Sequence, residues 1–438
     1  MESRGGPAAR KLGPVLLSPG IGYGNAVTSI YASLTSVSLL IYLGFIQPYF
    51  LTEVLRIPLE NQGSITGRLA SLQEVIVIVF MCFIGALSDQ WGRRLVYVAG
   101  FVFIGAGYFL YPLADTVAQL TIFRMAFAVG ASCIPVMLSA ILIDYSQPAS
   151  RGRWIGISNT VGSIGIMFMT VAMVRVPSWL EGRGLASELA GRYTFWIASA
   201  LCFLAATILL LGLKGRRFDT GETRPNPFST VVAGLKAVAK NRKLAFACGT
   251  AFVGRGDLVI FGAFVPLWAT QLGLQAGLTT GQALGRAGIL LFVHQITITL
   301  AAYLSGHFID RIDKVKALGV AFTLAAIGYF GIWLIADPFS VTIVAAIVIL
   351  ALGEVTITVA GNALAGEEAP VESRGAVLGV FGVLGAIGIA VATFIGGEIF
   401  DAIGKTAPFL MMVLFNSLIV VWAAYIFFTQ RAIGRPNS

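Results

Sequence analysis

The sequence predicts an all-α integral membrane protein with twelve transmembrane helices, and three observations lead to this fold class. Of the 438 residues, 57% are hydrophobic and only 12% are charged, whereas soluble domains have about 25% charged residues. The mean hydropathy is +0.85. The apolar runs are continuous over the ~20 residues that a helix needs to cross a bilayer, which excludes a soluble chain, a disordered chain and an alternating β-barrel.

Twelve apolar runs form two sets of six on either side of the longest polar stretch. They lie near residues 27–51, 64–88, 95–114, 118–143, 154–176, 193–213, 244–272, 284–306, 317–336, 338–364, 375–397 and 407–429. We therefore expect an N-terminal six-helix bundle over 1–213, a linker with a short surface helix over 214–243, and a pseudo-symmetric C-terminal six-helix bundle over 244–438.

The basic residues predict the orientation in the membrane. Most of the 30 Lys and Arg residues lie in the terminal segments and in alternate loops, above all in 214–243, and basic loops stay on the cytoplasmic side. We expect both termini in the cytoplasm and the protein in the inner membrane of a cell. The net charge of +9 then reflects topology and not binding to nucleic acid. Val232, Leu235 and Val238 share one face, which predicts that the linker helix lies on the cytoplasmic leaflet.

The four cysteines lie inside apolar runs. None has the spacing of a metal site, and none lies in a loop where an oxidising compartment would pair it. We therefore expect no metal ion and no cofactor.

The two halves of the chain repeat a polar segment. Gly85–Arg94, after the second run, is Gly-Ala-Leu-Ser-Asp-Gln-Trp-Gly-Arg-Arg. Gly306–Lys314, after the eighth run, is Gly-His-Phe-Ile-Asp-Arg-Ile-Asp-Lys. Internal repeats of this kind are typical of transporters, in which the solute site lies between the repeats near the bilayer midplane.

Two further features repeat at matching positions. Asp144 and Arg151 follow the fourth run, and Glu367 and Arg374 follow the tenth. The second feature is a stripe of glycines in the fifth and eleventh runs. Glycine stripes allow helix backbones to approach closely, either as static packing or as a surface on which helices slide. Gly156, Gly162 and Gly165 in the fifth run match Gly379, Gly385 and Gly388 in the eleventh, where Gly382 completes a spacing of three residues.

With these motifs the sequence resembles the major facilitator superfamily over essentially the whole chain. The Gly-x-x-x-Asp-x-x-Gly-Arg-Arg segment is the specific motif. Its second copy is degenerate, because Asp313 replaces the second glycine. Arg124 and Gly130 are all that remains of the family's motif in the fourth span. The resemblance implies two helical bundles around a cavity that opens alternately to each side.

The resemblance also implies a latch at the cytoplasmic rim that joins the two halves when the cavity faces outward. For its arginines the alternative is a purely topological role. The expected gating residues are Gly85, Asp89, Gly92, Arg93, Arg94, Asp144, Arg151, Gly306, Asp310, Arg311 and Arg374.

The first apolar run carries a polar face. Tyr31, Thr35, Ser38 and Tyr42 follow helical spacing. Hydroxyl groups and aromatic edges suit a solute site, so we assign these four residues to the cavity wall. For Thr35 and Ser38 the alternative is a hydrogen bond back to their own helix.

Charged side chains inside the runs are costly in hydrocarbon and are therefore strong functional candidates. They are Glu74, Arg124, Arg255, Asp257 and Glu354. The alternative for each is a structural salt bridge, such as Arg124 with Glu74. We assign Arg255 and Asp257 to the solute cavity, together with Thr358. The candidates for proton coupling are Glu354, Glu74, Asp257 and Arg124.

The seventh run also contains two glycines between its charged residues. Gly254 and Gly256 alternate with Arg255 and Asp257, which predicts a locally unwound helix at the midplane, as at other transporter sites. His294 has a similar depth in the eighth run, and we expect it to be a hydrogen-bonded interior residue rather than a proton carrier.

The sequence therefore favours a secondary active transporter that moves a small solute by alternating access, driven by protons, and that acts as a monomer. Alternatives are an uncoupled facilitator or a drug/proton antiporter. From other classes, a polytopic membrane enzyme would need clustered acids and histidines at one membrane face, and a receptor would need a soluble output domain. Neither feature is found in the sequence, so we expect no enzymatic activity. Import and export remain open, and so does the charge of the solute.

The unequal motifs generate the first prediction. Asp89→Asn should reduce transport into vesicles much more than Asp310→Asn, because only the first motif is complete. An equal loss in the two variants, or no loss in either, would contradict the predicted asymmetry.

Overall fold

The computed structural model describes residues 11–215, 227–309, 312–335, 337–370 and 373–433. The described chain is almost entirely helical. A small hairpin precedes the first helix. Its strands, β1 (Lys11–Leu12) and β2 (Val15–Leu16), have two residues each. The helices are α1 (Tyr23–Tyr49), α2 (Gln62–Trp91), α3 (Arg93–Leu110), α4 (Val117–Tyr145), α5 (Arg151–Val171), α6 (Val176–Glu181), α7 (Ser187–Gly212), α8 (Pro227–Lys240), α9 (Arg242–Gln275), α10 (Thr280–Ile309), α11 (Lys314–Leu334), α12 (Ile343–Glu368), α13 (Arg374–Ala402) and α14 (Ala407–Ile433).

The twelve predicted membrane helices are confirmed. Among the described residues, twelve helical segments have the length and hydropathy to cross a bilayer. They lie along α1 to α5, α7 and α9 to α14. The short α6 continues the fifth segment, and α8 is the helix predicted in the linker. The fold class is therefore that of an all-α membrane protein.

Side-chain caps fix several of these helix starts. Thr116 accepts a hydrogen bond from the backbone of Gln119 at α4, and Asn241 accepts two from the first turn of α9. Asp313 caps α11 in the same way, through Lys316 N. Each cap satisfies backbone N–H groups that have no partner inside the helix.

The first polar motif is mostly helical. Helix α2 continues to Trp91, so Asp89 lies in its last turn and not in the following loop. Gly92 alone separates α2 from α3, and it has a φ of 87°. A residue with a side chain rarely adopts this left-handed conformation, so the turn explains the glycine in the motif.

The chain divides into two compact units. The first comprises Met1–Leu43, Glu53–Leu55 and Ile76–Glu222, and the second comprises Gly44–Thr52, Arg56–Val75 and Thr223–Ser438. The beginning of α2 thus belongs to the second unit. The division into six-helix bundles on either side of 214–243 remains a prediction.

Glycine allows the same close approach in each unit. A Cβ atom on Gly165 of α5 would overlap the carbonyl oxygen of Leu34 in α1, and one on Gly388 of α13 would overlap that of Phe252 in α9. These two glycines are equivalent in the sequence repeat. Gly379 and Gly382, the next glycine of the stripe, have no neighbouring atom within 4 Å of such a Cβ. The stripe therefore serves helix packing at one end and faces open space at the other.

This difference generates a second prediction. Gly388→Ala should lower the thermal unfolding temperature by several degrees, because its methyl group would collide with the backbone of α9. Gly382→Ala should leave that temperature unchanged or raise it, since alanine favours a helix over glycine by up to about 1 kcal/mol. Thermal unfolding of the purified variants in detergent measures both effects, and equal shifts would refute the packing role of Gly388.

Candidate functional site

A buried carboxylate and imidazole pair lies within the second unit. Glu354, the twelfth residue of α12, is 1% exposed, and its Oε2 lies 2.8 Å from Nε2 of His294 in α10. The ring of Phe261 stacks on the imidazole with 4.1 Å between the ring centroids. Helices α9, α10 and α12 thus enclose two ionisable groups in an apolar setting, where the charge of each depends on the other.

Tyr329 of α11 connects this pair to α9. Its hydroxyl donates to the backbone oxygen of Asp257 at 2.6 Å and lies 3.4 Å from Oε1 of Glu354. The residue is fully buried. A single hydroxyl group therefore connects Asp257 of α9 to Glu354 of α12.

Asp257 is also fully buried and faces α14. Its Oδ1 accepts a hydrogen bond of 2.9 Å from Nδ2 of Asn416, which is itself 0% exposed. In this conformation Asp257 belongs to a closed interior network and not to an open cavity wall. Its assignment to the solute cavity stays a prediction from the sequence.

The predicted unwinding of α9 is wrong. The helix is continuous from Arg242 to Gln275, through both glycines of the Gly254–Asp257 segment. The glycines serve packing: a Cβ on Gly254 would collide with Ile357, and one on Gly256 would lie 3.1 Å from Cβ of Ala392. Because two residues span about 200° of a helix, Arg255 and Asp257 point to opposite sides.

Arg255 is exposed and lines a pocket of about 290 Å³. Its aliphatic stem passes Gly385 of α13, where a Cβ would lie 2.8 Å from its Cγ. No hydrogen bond or ion pair of its guanidinium is found within the described part of the chain. The pocket is formed by α9, α12 and α13 and is lined by Thr250, Ala251, Gly254, Arg255, Ile357, Thr358, Gly361, Asn362 and Phe381.

The polar face of α1 is largely engaged within the first unit. Thr35 and Ser38 donate to the backbone oxygens of Tyr31 and Leu34, which is the alternative that the sequence left open. Tyr42 is fully buried, and its hydroxyl donates to the backbone oxygen of Met173 at 3.0 Å. Tyr31 and Thr35 are half-buried, so they remain the candidates for contact with a solute.

The remaining charges in the spans lie in different units. Arg124 is 5% exposed, donates to the hydroxyl of Tyr111 at 3.4 Å and lies 5.6 Å from the ring centroid of Phe127. Glu74 is half-buried in the segment of α2 that belongs to the second unit. Their proposed roles in coupling remain predictions.

Several gating candidates meet at the junctions of α3, α4 and α7. Arg93 forms an ion pair with Asp144 and donates to the backbone oxygen of Ala140 at 2.8 Å. Arg94 donates to the backbone oxygen of Leu213 at 3.4 Å. These bonds are local to the first unit and join its helix ends.

The other gating candidates occupy helix ends or helical positions. Arg151 and Arg374 are the first residues of α5 and α13. Gly85 and Asp89 lie in α2, and Gly306 lies in α10, but their side-chain surroundings are not described. Asp310 and Arg311 lie outside the described residues.

The structure reveals a contact between α2 and α13 that sequence reasoning missed. The carboxylate of Asp401 accepts hydrogen bonds from the backbone of Gly63 at 2.9 Å and of Ser64 at 2.6 Å. Arg68 and Glu398 form an ion pair of 2.7 Å nearby. An acid in one sequence half therefore caps a helix of the other, where the helix dipole favours a negative charge.

Two members of the buried network, Tyr329 and Asn416, were missed. His294 is the hydrogen-bonded interior residue that the sequence predicted, and its partner is Glu354. A signal was available for Asn416, which is an amide within an apolar run. Within the described residues, no three His, Cys, Asp or Glu side chains are grouped so as to hold a metal ion.

Comparison with known proteins identifies the family. The family model described as Major Facilitator Superfamily matches residues 28–296 and 277–438. The chain belongs to this superfamily. Solved structures agree: the nucleoside transporter NupG superimposes with a TM-score of 0.74, at 16% identity, over 92% of this chain and 98% of its own. At this identity the likeness shows the fold.

Two relatives within the superfamily are magnetosome proteins. MamH of Paramagnetospirillum magneticum is 28% identical over 386 residues, which cover 86% of each chain. MamZ of Magnetospirillum gryphiswaldense is 25% identical over 421 residues, 91% of this chain but only 61% of its own length. Membership in the superfamily makes this chain a multi-pass membrane protein of the kind that moves small solutes across a lipid bilayer.

Proposed function

We propose that this protein is a secondary active transporter in which proton binding at Glu354 and His294 drives the movement of a small solute. The buried contact between these residues is the observation that carries the proposal. It places the Glu354 carboxylate 2.8 Å from the His294 imidazole, and Glu354 lies near the middle of α12.

The pair changes its charge only by gaining or losing a proton. Within the described residues, the side-chain partners of the Glu354 carboxylate are His294 and Tyr329, and neither Lys nor Arg contacts it. In this proposal the pair binds one proton and releases it when the site opens to water.

The solute is proposed to bind in the pocket that holds Arg255, which shares α9 and α12 with this network. Thr358 lies one helical turn from Glu354, and its hydroxyl donates to the backbone oxygen of that residue at 3.0 Å. The Thr358 and Asn362 side chains lie along the same face of α12 and are exposed. An exposed guanidinium without a partner in the described chain favours an anionic solute, because such a cation is costly in a membrane span unless it is hydrated or paired.

The membrane arrangement is proposed from the sequence. Both termini would lie in the cytoplasm and the chain would act as a monomer in the inner membrane, with the basic linker around α8 on the cytoplasmic face. Helix α8 packs on α13, where a Cβ on Gly234 would lie 2.8 Å from a methyl group of Val380. This contact supports a linker helix that is bound to the second unit.

The test of coupling uses Glu354→Gln. A screen of the purified protein against metabolite libraries by thermal shift first identifies a solute. In reconstituted vesicles, the variant should lose accumulation driven by a pH gradient, because glutamine cannot bind the proton. It should retain exchange of labelled solute at equal concentrations. Glu60→Gln, at an exposed position before α2, is the matched control and should behave as wild type.

Two outcomes would contradict this proposal. If Glu354→Gln still concentrates the solute along a proton gradient, Glu354 does not carry the proton. If the wild type equilibrates the solute without proton movement, the protein is an uncoupled facilitator.

The test of solute binding uses Arg255→Ala. An anionic solute should bind this variant about tenfold more weakly or worse, because hydrogen bonds to charged groups are worth about 1.5–3 kcal/mol. Arg183→Ala, which removes an exposed arginine stacked on Trp179, should leave the dissociation constant unchanged. Unchanged binding in Arg255→Ala together with a lower unfolding temperature would mean that the arginine is structural.

A further inference from the structure

The hydrogen bonds of Asp257 and Asn416 are incomplete in a specific way. Asn416 donates to Oδ1 of Asp257 at 2.9 Å. Among the described residues, no hydrogen-bond partner is found for the second carboxylate oxygen, Oδ2, or for Oδ1 of the Asn416 amide, and both atoms are buried. Both unsatisfied atoms are acceptors, and both belong to the two groups that are already joined. A buried acceptor without a donor is destabilising, so two in one pair need an explanation.

We infer that Asp257 binds a proton in this conformation and forms a neutral acid–amide pair with Asn416. A hydrogen on Oδ2 of Asp257 supplies the donor that the pair lacks. The acid then donates to Oδ1 of Asn416 while it accepts from Nδ2, as the complementary donors and acceptors of a carboxylic acid and an amide allow. One added proton thus accounts for both unsatisfied oxygens.

The surroundings of Asp257 favour the neutral acid. Each neighbouring helix contributes an acidic or uncharged group to this region: α11 contributes Tyr329, α12 contributes Glu354 and α14 contributes Asn416. His294 of α10 is engaged by Glu354. On α13, Gly388 and Ala392 face the adjacent position of α9.

No cation compensates Asp257 within the described residues. The arginine of the same helix, Arg255, lies on the opposite side and lines the pocket. An ionised Asp257 would therefore be a buried negative charge, connected through Tyr329 to a second acid. Such an unpaired charge is far more costly than a neutral acid.

The inference adds a proton site that is separate from the one proposed for transport. The proton proposed for transport binds at Glu354 and His294, whereas Asp257 binds a separate one. Tyr329 donates to the backbone of Asp257 and approaches Glu354. Loss of the proton at one site would therefore change the charge and hydrogen bonding around the other site. Occupancy of the Asp257 site does not depend on whether transport is coupled to protons.

Infrared spectroscopy of the purified protein at neutral pH tests this inference. A protonated carboxyl group has a carbonyl stretch at a higher frequency than either carboxylate band, and it shifts in D2O. The difference spectrum between wild type and Asp257→Asn should contain one such acid band and no carboxylate bands. Glu60→Gln, the exposed control, should show carboxylate bands only. Carboxylate bands in the Asp257→Asn difference spectrum would overturn the inference.

Asp257→Asn should fold, because an amide keeps the shape and supplies an N–H donor where the acid has O–H. If it does not, the exchange variant Asp257→Asn with Asn416→Asp restores one acid and one amide. This double variant should fold and retain the acid band. If neither variant folds, absence of any protonated carboxyl band from the wild-type spectrum would refute the inference. A failed transport assay with a retained acid band would count against the proposed coupling alone.

Discussion

The second unit is organised by one constraint: polar groups inside a membrane helix bundle must find partners within the protein, because no water is present to solvate them. The network of α9, α10, α11, α12 and α14 meets most of this constraint through a chain of side-chain contacts, and the proton inferred on Asp257 would meet the rest. His294 contacts Glu354, Tyr329 bridges from Glu354 to the backbone of Asp257, and Asn416 contacts Asp257. Since each of these five helices supplies one member, the network also restricts the rotation of each about its axis.

Close packing provides the complementary part of this arrangement. Helix α13 contributes no polar group to the network, and instead brings glycines against α9. Gly388 allows backbone contact at Phe252, and Gly385 leaves room for the stem of Arg255. Helix α9 is continuous through these contacts. Its buried face carries Asp257 and its open face carries Arg255, so one helix separates the proton network from the pocket.

Sequence analysis predicted the positions of the helices better than the contacts between their side chains. Continuous apolar runs are governed by bilayer thickness, which explains why twelve helices could be located from hydropathy alone. The charged positions were also evident, because each is costly in hydrocarbon. Their partners were not, since the contact between His294 and Glu354 depends on helix rotation over a sequence separation of 60 residues. The predicted break in α9 failed because Gly254 and Gly256 pack against Ile357 and Ala392, a requirement that only the neighbouring helices reveal.

The proton network and the pocket are linked because both include residues of α9 and α12. Arg255 and Asp257 are two residues apart on α9, and Glu354 and Thr358 are one turn apart on α12. Rotation of α9 about its axis would move Arg255 and Asp257 in different directions, because they occupy opposite faces. Rotation of α12 would move Glu354 and Thr358 in the same direction, because residues four apart share a face. A change in protonation that alters the hydrogen bond of Tyr329 to Asp257, or of His294 to Glu354, therefore acts on the same two helices that present Arg255, Thr358 and Asn362. No separate relay between the two sites is required.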